Sequence, residues 1–169
     1  MIKKSINLIY KIAVIFILGT VSCKEKDKNQ VVISGKSEID NVKLTDLNNI
    51  PIDLKQYAGK TIFINFWATW CKPCIAEMPS IEKAKNKLSD QNIIFLLASN
   101  ESIQEIQDFN KSNVYTSAYV RVENMEALNI QAIPTTYIFN PDGKLVFSEM
   151  GYRNWDDSTN IQLILKIVK

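Results

Sequence analysis

Strand and helix patterns alternate along the chain between residues 61 and 122. The segment 61–67 is apolar at nearly every position, and so is the segment 92–98. Runs of this length without a polar face are typical of strands buried on both sides of a sheet. Residues 72–88 and 101–111 instead carry apolar side chains at helical spacing. Residues 115–122 form a third strand candidate, so the pattern predicts an α/β protein.

Hairpins are predicted on both sides of this alternating region. Residues 42–54 hold two short apolar stretches separated by the turn Asn48-Asn49. Residues 132–148 are divided by the turn Asn140-Pro141-Asp142-Gly143, whose composition is typical of a tight reversal. Two further helical patterns lie at residues 124–128 and 157–168. Together these elements predict a layered α/β sandwich with a mixed central sheet, flanking helices and an N-terminal hairpin.

The first 22 residues have the layout of a secretory signal. Lys3, Lys4 and Lys11 supply positive charge, and residues 12–18 form an apolar core. That core is well short of the ~20 residues that cross a bilayer as a helix. After it the composition changes abruptly to a charged tether. We therefore expect three parts: a signal at 1–22, a tether at 23–36 and a folded domain at 37–169.

Cys23 follows the apolar core at the place where a signal would be cleaved. Val21-Ser22-Cys23 resembles a bacterial lipoprotein signal, in which this cysteine is lipidated and becomes the new N-terminus. Thr20 departs from that pattern, where leucine is usual. The alternative is an ordinary signal or an uncleaved anchor with a chance cysteine. Either alternative predicts export to the periplasm or the exterior of a bacterial cell, an oxidising environment for thiols.

Composition excludes several classes of function. Without residues 1–22 the formal net charge falls from +2 to −1, so nucleic-acid binding has no electrostatic support. The chain has no histidine, which excludes Cys-His and Ser-His catalysis and histidine-ligated metals. Hydrophobic residues make up 46% of the chain and charged residues 22%, as expected of a folded globular domain.

Two cysteines separated by two residues stand where the strand 61–67 gives way to a helix. Cys71 and Cys74 can close and reopen a disulfide there, and the helix N-terminus favours a thiolate at Cys71. A C-x-x-C pair can also be half of a zinc site. No second cysteine pair and no histidine exists to complete such a site, so we expect neither a metal nor a cofactor.

Four motifs resemble the thioredoxin superfamily, and within it the exported, membrane-anchored TlpA/ResA-type thiol–disulfide oxidoreductases. In chain order they are residues 66–74, Glu77-Met78-Pro79, residues 133–136 and residues 140–144. The resemblance covers roughly residues 37–169, within the size of a single domain. It implies a thioredoxin-like three-layer sandwich with a redox-active disulfide between Cys71 and Cys74.

Roles in thiol exchange follow for three residues. Cys71 is expected to be the attacking nucleophile, and Cys74, one helical turn further on, the buried resolving thiol. Glu77 lies three residues after Cys74, near the same helix face, and the resemblance implies that it affects proton transfers at the pair. The alternative is a surface glutamate that only benefits from the helix dipole. Asn65 replaces the buried aspartate of ordinary thioredoxins, which increases interest in Glu77.

The resemblance also implies a substrate-binding edge beside the cysteine pair. Pro134 is expected to follow a cis peptide bond, and Ile133 to offer backbone groups to an incoming thiol. Trp70 is expected to cover the active site. Trp67 is expected either to do the same or to belong to the core. Two other aromatic residues, Trp155 and Tyr152, are expected to be packing residues.

The expected function is thiol–disulfide exchange that reduces disulfides of exported proteins, and cytochrome c maturation is one process that the resemblance suggests. Such a protein-disulfide reductase needs a membrane electron donor, and an anchor through Cys23 would keep it near one. Two alternatives use the same residues. One is a disulfide oxidase or isomerase, and the other is a non-catalytic binding module in which the Cys71–Cys74 disulfide is static.

Overall fold

The computed structural model describes residues 37–168; the predicted signal, Cys23 and the tether lie outside the described residues. Within this range the chain forms seven strands and three α-helices. The strands are β1 (Leu44–Thr45), β2 (Pro51–Ile52), β3 (Thr61–Phe66), β4 (Ile93–Ser99), β5 (Ala118–Val122), β6 (Thr135–Phe139) and β7 (Leu145–Met150). The helices are α1 (Lys72–Lys87), α2 (Ile103–Ser112) and α3 (Ser158–Val168).

The strands join in one mixed sheet in the order β2-β1-β5-β4-β3-β6-β7. β3 pairs in parallel with β4, and β4 in parallel with β5, because α1 and α2 return the chain to the same edge of the sheet each time. β6 runs antiparallel to β3 on the other side. The two predicted hairpins are confirmed as the antiparallel pairs β1–β2 and β6–β7.

The central strand β3 buries both of its faces. Ile62, Ile64 and Phe66 enter one core cluster, while Phe63 and the following Trp67 enter the other. All three α-helices pack into the cluster that contains Phe63. The opposite face is covered by short 3₁₀ turns at Glu38–Asn41, Leu54–Tyr57 and Met125–Leu128. The protein is thus a three-layer α/β sandwich, as expected, with 3₁₀ turns as its second outer layer.

The turn between β6 and β7 has the geometry that its composition predicts. Gly143 donates its N–H to the carbonyl oxygen of Asn140 over 2.8 Å, and the Asn140 side chain accepts from the N–H of Asp142 and Lys144. Gly143 adopts a φ of +73°, and a Cβ at this position would collide with the Ser37 hydroxyl. The turn therefore requires glycine both for its backbone conformation and for its contact with the start of the domain.

β5 is shorter than the predicted segment 115–122. The strand begins only at Ala118 because the Glu82 carboxylate on α1 binds the two preceding residues. Thr116 and Ser117 donate their backbone N–H groups to Glu82 over 3.0 and 3.2 Å, and their hydroxyls donate to the same carboxylate. These backbone groups are consequently occupied by a side chain on another element rather than by a sheet partner.

Candidate active site

Cys71 caps the N-terminus of α1 at the carboxyl end of the central strand. β3 ends at Phe66, and residues 67–70 carry the chain to the helix. The sulfur of Cys71 accepts a hydrogen bond from the N–H of Cys74 over 3.3 Å. Pro73 occupies the first turn, where a missing N–H costs nothing. The N–H of Cys74 therefore faces the sulfur of Cys71, where this hydrogen bond and the helix dipole favour a thiolate.

The two cysteines form a disulfide, with their Cα atoms 5.3 Å apart. Cys74 is completely buried, whereas Cys71 keeps 4% of its surface exposed. Of the two cysteines, Cys71 alone keeps contact with solvent, so an incoming thiol or disulfide would approach the pair from the side of Cys71. Between residues 37 and 168, no group of three or more histidine, cysteine, aspartate or glutamate side chains is placed to hold a metal ion.

Pro134 lies beside the cysteine pair because it immediately precedes β6. The first residue of β6, Thr135, pairs with Phe66 at the end of β3, next to the loop that leads to Cys71. The Ile133–Pro134 peptide bond is cis, which confirms the prediction. Among the hydrogen bonds of residues 37–168, none uses the N–H or C=O of Ile133. Both groups are therefore free to pair with an extended peptide, as expected of a substrate-binding edge.

Exposed apolar side chains surround this edge. Trp70, directly before Cys71, is 72% exposed, and Met150, which pairs with Thr135 at the end of β7, is 57% exposed. Tyr152 is 56% exposed, so its prediction as a packing residue was wrong, because the chain leaves the sheet at Gly151. Trp67 belongs to the core, as does Trp155, whose predicted packing role is confirmed.

Glu77 is completely buried one turn below Cys74, so the alternative of a surface glutamate is wrong. Its carboxylate accepts hydrogen bonds from the amide of Asn65 over 2.6 Å and from the backbone N–H of Arg153 over 3.0 Å. Burial raises the pKa of Glu77 to about 7, although these hydrogen bonds act in the opposite direction. A carboxyl group with this pKa can hold or release a proton near neutral pH.

Asn65 lies on the same face of the chain as Phe63 and Trp67, two residues before and after it. This face points toward α1, so Asn65 faces Glu77. Its side-chain N–H₂ group also donates to the hydroxyl of Thr136 on β6, over 3.0 Å. Within the described residues, the amide oxygen of Asn65 has no hydrogen-bond partner. The structure therefore brings Asn65 and Glu77 together as a buried polar pair.

Glu101 is a residue of the site that sequence reasoning missed. Its carboxylate accepts hydrogen bonds from the N–H and the hydroxyl of Thr69, each over 2.7 Å, and from the hydroxyl of Ser99. It therefore holds the loop that carries Trp70 and Cys71. The available signal was its position two residues after a buried strand, since the carboxyl ends of parallel strands meet at one edge of the sheet.

Arg153 was also missed, and no sequence signal pointed to it. It reaches Glu77 through its backbone N–H, which every residue except proline possesses, across 76 residues of sequence. Its guanidinium instead forms a bidentate pair with Glu149 on β7. Only the path of the chain between β7 and α3 reveals that this residue contributes to the site.

Comparison with known proteins identifies relatives over most of the chain. The Redoxin family model matches residues 34–164. The thiol-disulfide oxidoreductase ResA of Bacillus subtilis is 33% identical over 118 residues, which cover 68% of this chain and 66% of that protein. The protein of the same name from Bacillus thuringiensis is 30% identical over 162 residues, which cover 88% of this chain and 90% of its own length.

Solved structures share the fold at lower identity. A thiol:disulfide interchange protein from Chlorobium tepidum superposes with a TM-score of 0.63 at 20% identity, covering 75% of this chain and 92% of that one. The thioredoxin domain of a thiol-disulfide oxidoreductase from Bacteroides vulgatus gives the same TM-score and coverage at 19% identity. With the disulfide at the start of α1 and the family match over residues 34–164, the chain belongs to the Redoxin family within the thioredoxin superfamily, as a ResA-type thiol–disulfide oxidoreductase.

Proposed function

We propose that the protein reduces disulfides of exported proteins while anchored to a membrane through Cys23. The observation that carries this proposal is the exposure difference within the disulfide, combined with the free backbone groups of Ile133 beside it. A disulfide in which Cys71 keeps some exposed surface, next to the free backbone groups of Ile133, suits exchange with another polypeptide. The exposed side chains of Trp70, Met150 and Tyr152 provide an apolar surface for that polypeptide.

The exchange proceeds in two displacement steps. The thiolate of Cys71 attacks one sulfur of the substrate disulfide, forms a mixed disulfide and releases the other substrate sulfur as a thiolate. Cys74, deprotonated in its turn, then attacks the sulfur of Cys71. The substrate leaves as a dithiol, and the Cys71–Cys74 disulfide forms again. Two electrons pass to the substrate in each cycle, so a thiol donor at the membrane must reduce the pair before the next one.

The buried position of Glu77 near Cys74 favours reduction of the substrate disulfide and a role for Glu77 in proton transfer. A buried carboxylate one helical turn from Cys74 disfavours a thiolate at Cys74, and a pair in which one thiolate is destabilised is a stronger reductant. The carboxyl group can also take up the proton of Cys74 before its attack. Glu77→Gln should therefore change the pH dependence of alkylation at Cys71, and an unchanged profile would contradict this role.

Trapping of mixed disulfides tests the exchange itself. In Cys74→Ser the second step is blocked, so partner proteins should accumulate on Cys71 and be released by a reductant. Cys71→Ser should trap none, because Cys74 is completely buried. The double variant Cys71→Ser/Cys74→Ser retains Cys23, so it measures how much partner protein is trapped through Cys23 alone. If Cys74→Ser traps no more than the double variant, the disulfide is static and the protein is a binding module.

The direction of electron flow needs a separate measurement. The redox equilibrium of the Cys71–Cys74 pair with glutathione should lie toward the protein disulfide, as expected for a reductant. A pair more oxidising than glutathione would instead indicate an oxidase or isomerase. The identities of the proteins trapped by Cys74→Ser then test whether cytochrome c maturation is among the processes served.

The proposed anchor rests on the sequence of residues 1–36. Cys23 follows an apolar core of the length and flanking charge of a lipoprotein signal, and a charged tether separates it from the domain. Cells supplied with labelled fatty acid should label the unaltered protein in the membrane fraction. Cys23→Ser should abolish the label; equal labelling of both proteins would exclude lipidation at Cys23. No helix between residues 37 and 168 is long and apolar enough to cross a bilayer.

A further inference from the structure

The loop that joins β7 to α3 contacts both the substrate-binding edge and the buried carboxyl group. We call residues 151–155 the 151–155 loop. Its first residue, Gly151, donates its N–H to the carbonyl oxygen of Pro134 over 2.7 Å. Arg153 donates its N–H to Glu77 over 3.0 Å, and Trp155 donates to the hydroxyl of Ser80 on α1 over 3.0 Å. Movement of this loop would therefore disturb Pro134 and Glu77 together.

The side chain of Arg153 ties the 151–155 loop to the elements on either side of it. Its guanidinium donates to both oxygens of Glu149 on β7, over 3.2 and 2.5 Å, and to the amide oxygen of Asn160 on α3, over 2.5 Å. The same group lies 5.4 Å from the ring of Phe147 and 5.6 Å from that of Trp155. Planar, bidentate contacts of this kind restrict an arginine to one geometry.

We propose that Arg153 is a positioning residue for thiol–disulfide exchange, whose clamped side chain holds the 151–155 loop so that its backbone N–H reaches the carboxylate of Glu77. The inference rests on the proposed role of Glu77 and adds the residue that keeps its hydrogen-bond partner in place. The hydrogen bond to Glu77 is made by the backbone N–H of Arg153, whereas the side chain of Arg153 keeps that N–H in place. The clamp also keeps Gly151 against Pro134.

A substitution of Glu149 distinguishes two explanations for its effect on the pKa of Glu77: positioning of the Arg153 N–H by the clamp, and the negative charge of Glu149 alone. If the clamp positions the N–H, loss of the Arg153–Glu149 pair weakens the bond to the ionised form of Glu77 and raises its pKa. If Glu149 acted only through its negative charge, its neutralisation would lower that pKa. Glu149→Gln keeps the size of the side chain and removes the charge-assisted fork, so the sign of the shift decides between them.

Few other charged groups face Glu77. β3 has no ionisable residue, and Tyr137, the ionisable residue of β6, packs in the core cluster on the opposite face of the sheet. On α1, Lys72 and Glu82 lie five residues to either side of Glu77, and Cys74 is held in the disulfide with Cys71. Ahead of α3, Asp157 accepts from Asn160, and Asp156 pairs with Lys87 over 3.6 Å. Measurements on the oxidised protein therefore report the clamp without interference from the thiols.

The titration of Glu77 can be measured directly by NMR of side-chain carboxyl carbons, with the resonance assigned from Glu77→Gln. In oxidised Glu149→Gln we expect the pKa of Glu77 to rise by roughly one unit, the value of one charge-assisted hydrogen bond. Glu123→Gln is the matched control, because Glu123 pairs over 3.0 Å with Arg121 on β5, which lies on the opposite side of the central strand β3 from β7. It should leave the pKa of Glu77 unchanged.

Arg153→Lys provides a second variant if Glu149→Gln folds poorly, as judged by circular dichroism and thermal unfolding. Lysine keeps the positive charge but cannot form the fork, so the pKa of Glu77 should again rise. A lowered or unchanged pKa in folded Glu149→Gln, or an unchanged one in folded Arg153→Lys, would overturn the positioning role. Alkylation of Glu77→Gln tests the role of Glu77 separately, and an unchanged alkylation profile would leave the positioning role, which the pKa of Glu77 reports, standing.

Discussion

At the scale of single residues, Asn65 and Glu77 form a buried pair whose hydrogen bonds affect the pKa of the carboxyl group. The asparagine donates to the carboxylate, while its own oxygen has no partner among the described residues. An amide can reverse and present that oxygen instead, so the pair can accommodate a protonated or an ionised glutamate. Burial alone would keep Glu77 protonated, and the two N–H donors restore part of its acidity.

Glu77 should make the stability of the oxidised protein fall as pH rises. The pKa of Glu77 is raised from 4.5 to about 7, so between these values the unfolded chain releases a proton that the folded chain keeps. The contribution of Glu77 to the free energy of unfolding is fully present below pH 4.5. It falls by roughly 3 kcal/mol as the pH rises to 7 and above. Urea unfolding at several pH values should show that Glu77→Gln removes this pH dependence, because glutamine does not titrate. Asn65 can reverse its amide to accept a hydrogen bond from the new side chain, so the variant should still fold.

Glu82→Gln is the control on the same helix. Burial opposes ionisation of Glu82, but hydrogen bonds from Thr116 and Ser117 outweigh it and lower its pKa. Its contribution is therefore present above the unfolded pKa and lost as pH falls, so the substitution should change the pH dependence in the opposite sense. A Glu77→Gln variant that retains the full pH dependence of the unaltered protein would contradict the assignment of a buried, titrating Glu77.

At the scale of elements, α2 begins one residue after Ser102 because of a capping box. The hydroxyl of Ser102 accepts from the N–H of Glu105, and the Glu105 carboxylate accepts from the N–H of Ser102 over 2.9 Å. The predicted start at Glu101 was therefore too early. Glu101 instead turns its carboxylate toward Thr69, and the strand-to-helix junction of β4 and α2 thereby supports the active-site loop.

Removal of this cap should weaken the protein measurably. Ser102→Ala should lower the free energy of unfolding by about 1 kcal/mol, since it leaves a backbone N–H of the first turn without its partner. Ser112→Ala, at the exposed last residue of the same helix, should change it by less than about 0.5 kcal/mol. Urea denaturation of both variants measures the difference, and equal effects would show that the hydroxyl of Ser102 does not act as a cap.

At the scale of the whole molecule, both core clusters are formed by residues between Ile39 and Val168. On the helical face of the sheet, the rings of Phe95 and Trp155 each contact that of Phe63, with centroid distances of 4.8 and 4.7 Å. The disulfide and Glu77 lie on this same face. Within the described residues, the site thus lies on a core formed between Ile39 and Val168.

A chain that starts at Val31 should therefore fold and exchange disulfides as the longer chain does. We expect cooperative urea unfolding with a free energy within about 1 kcal/mol of that of the longer chain, because every core residue of the range 37–168 is retained. The redox equilibrium of Cys71 and Cys74 with glutathione should also be unchanged. Loss of cooperativity in the shortened chain would mean that the domain needs residues before Val31.

The elements that sequence predicted best are those whose signals are local. The apolar runs of β3 and β4, the turn before β7 and the proline in the first turn of α1 each express a short-range steric or burial rule. The cis bond before Pro134 was predicted from motif resemblance. Tyr152 was mispredicted and Arg153 missed, because their environments depend on where the chain leaves β7, which no local pattern encodes.

The sequence by itself determined a reactive cysteine pair at a strand-to-helix turn, the alternation of strands and helices and the absence of histidine chemistry, because residue type and spacing suffice for these. Only the tertiary structure decided that Glu77 is buried against Asn65, and that Arg153 and Glu101 contact residues of the site. These properties arise from contacts between residues up to 76 positions apart. Burial and hydrogen bonding at such separations depend on the completed packing of the sheet and its helices.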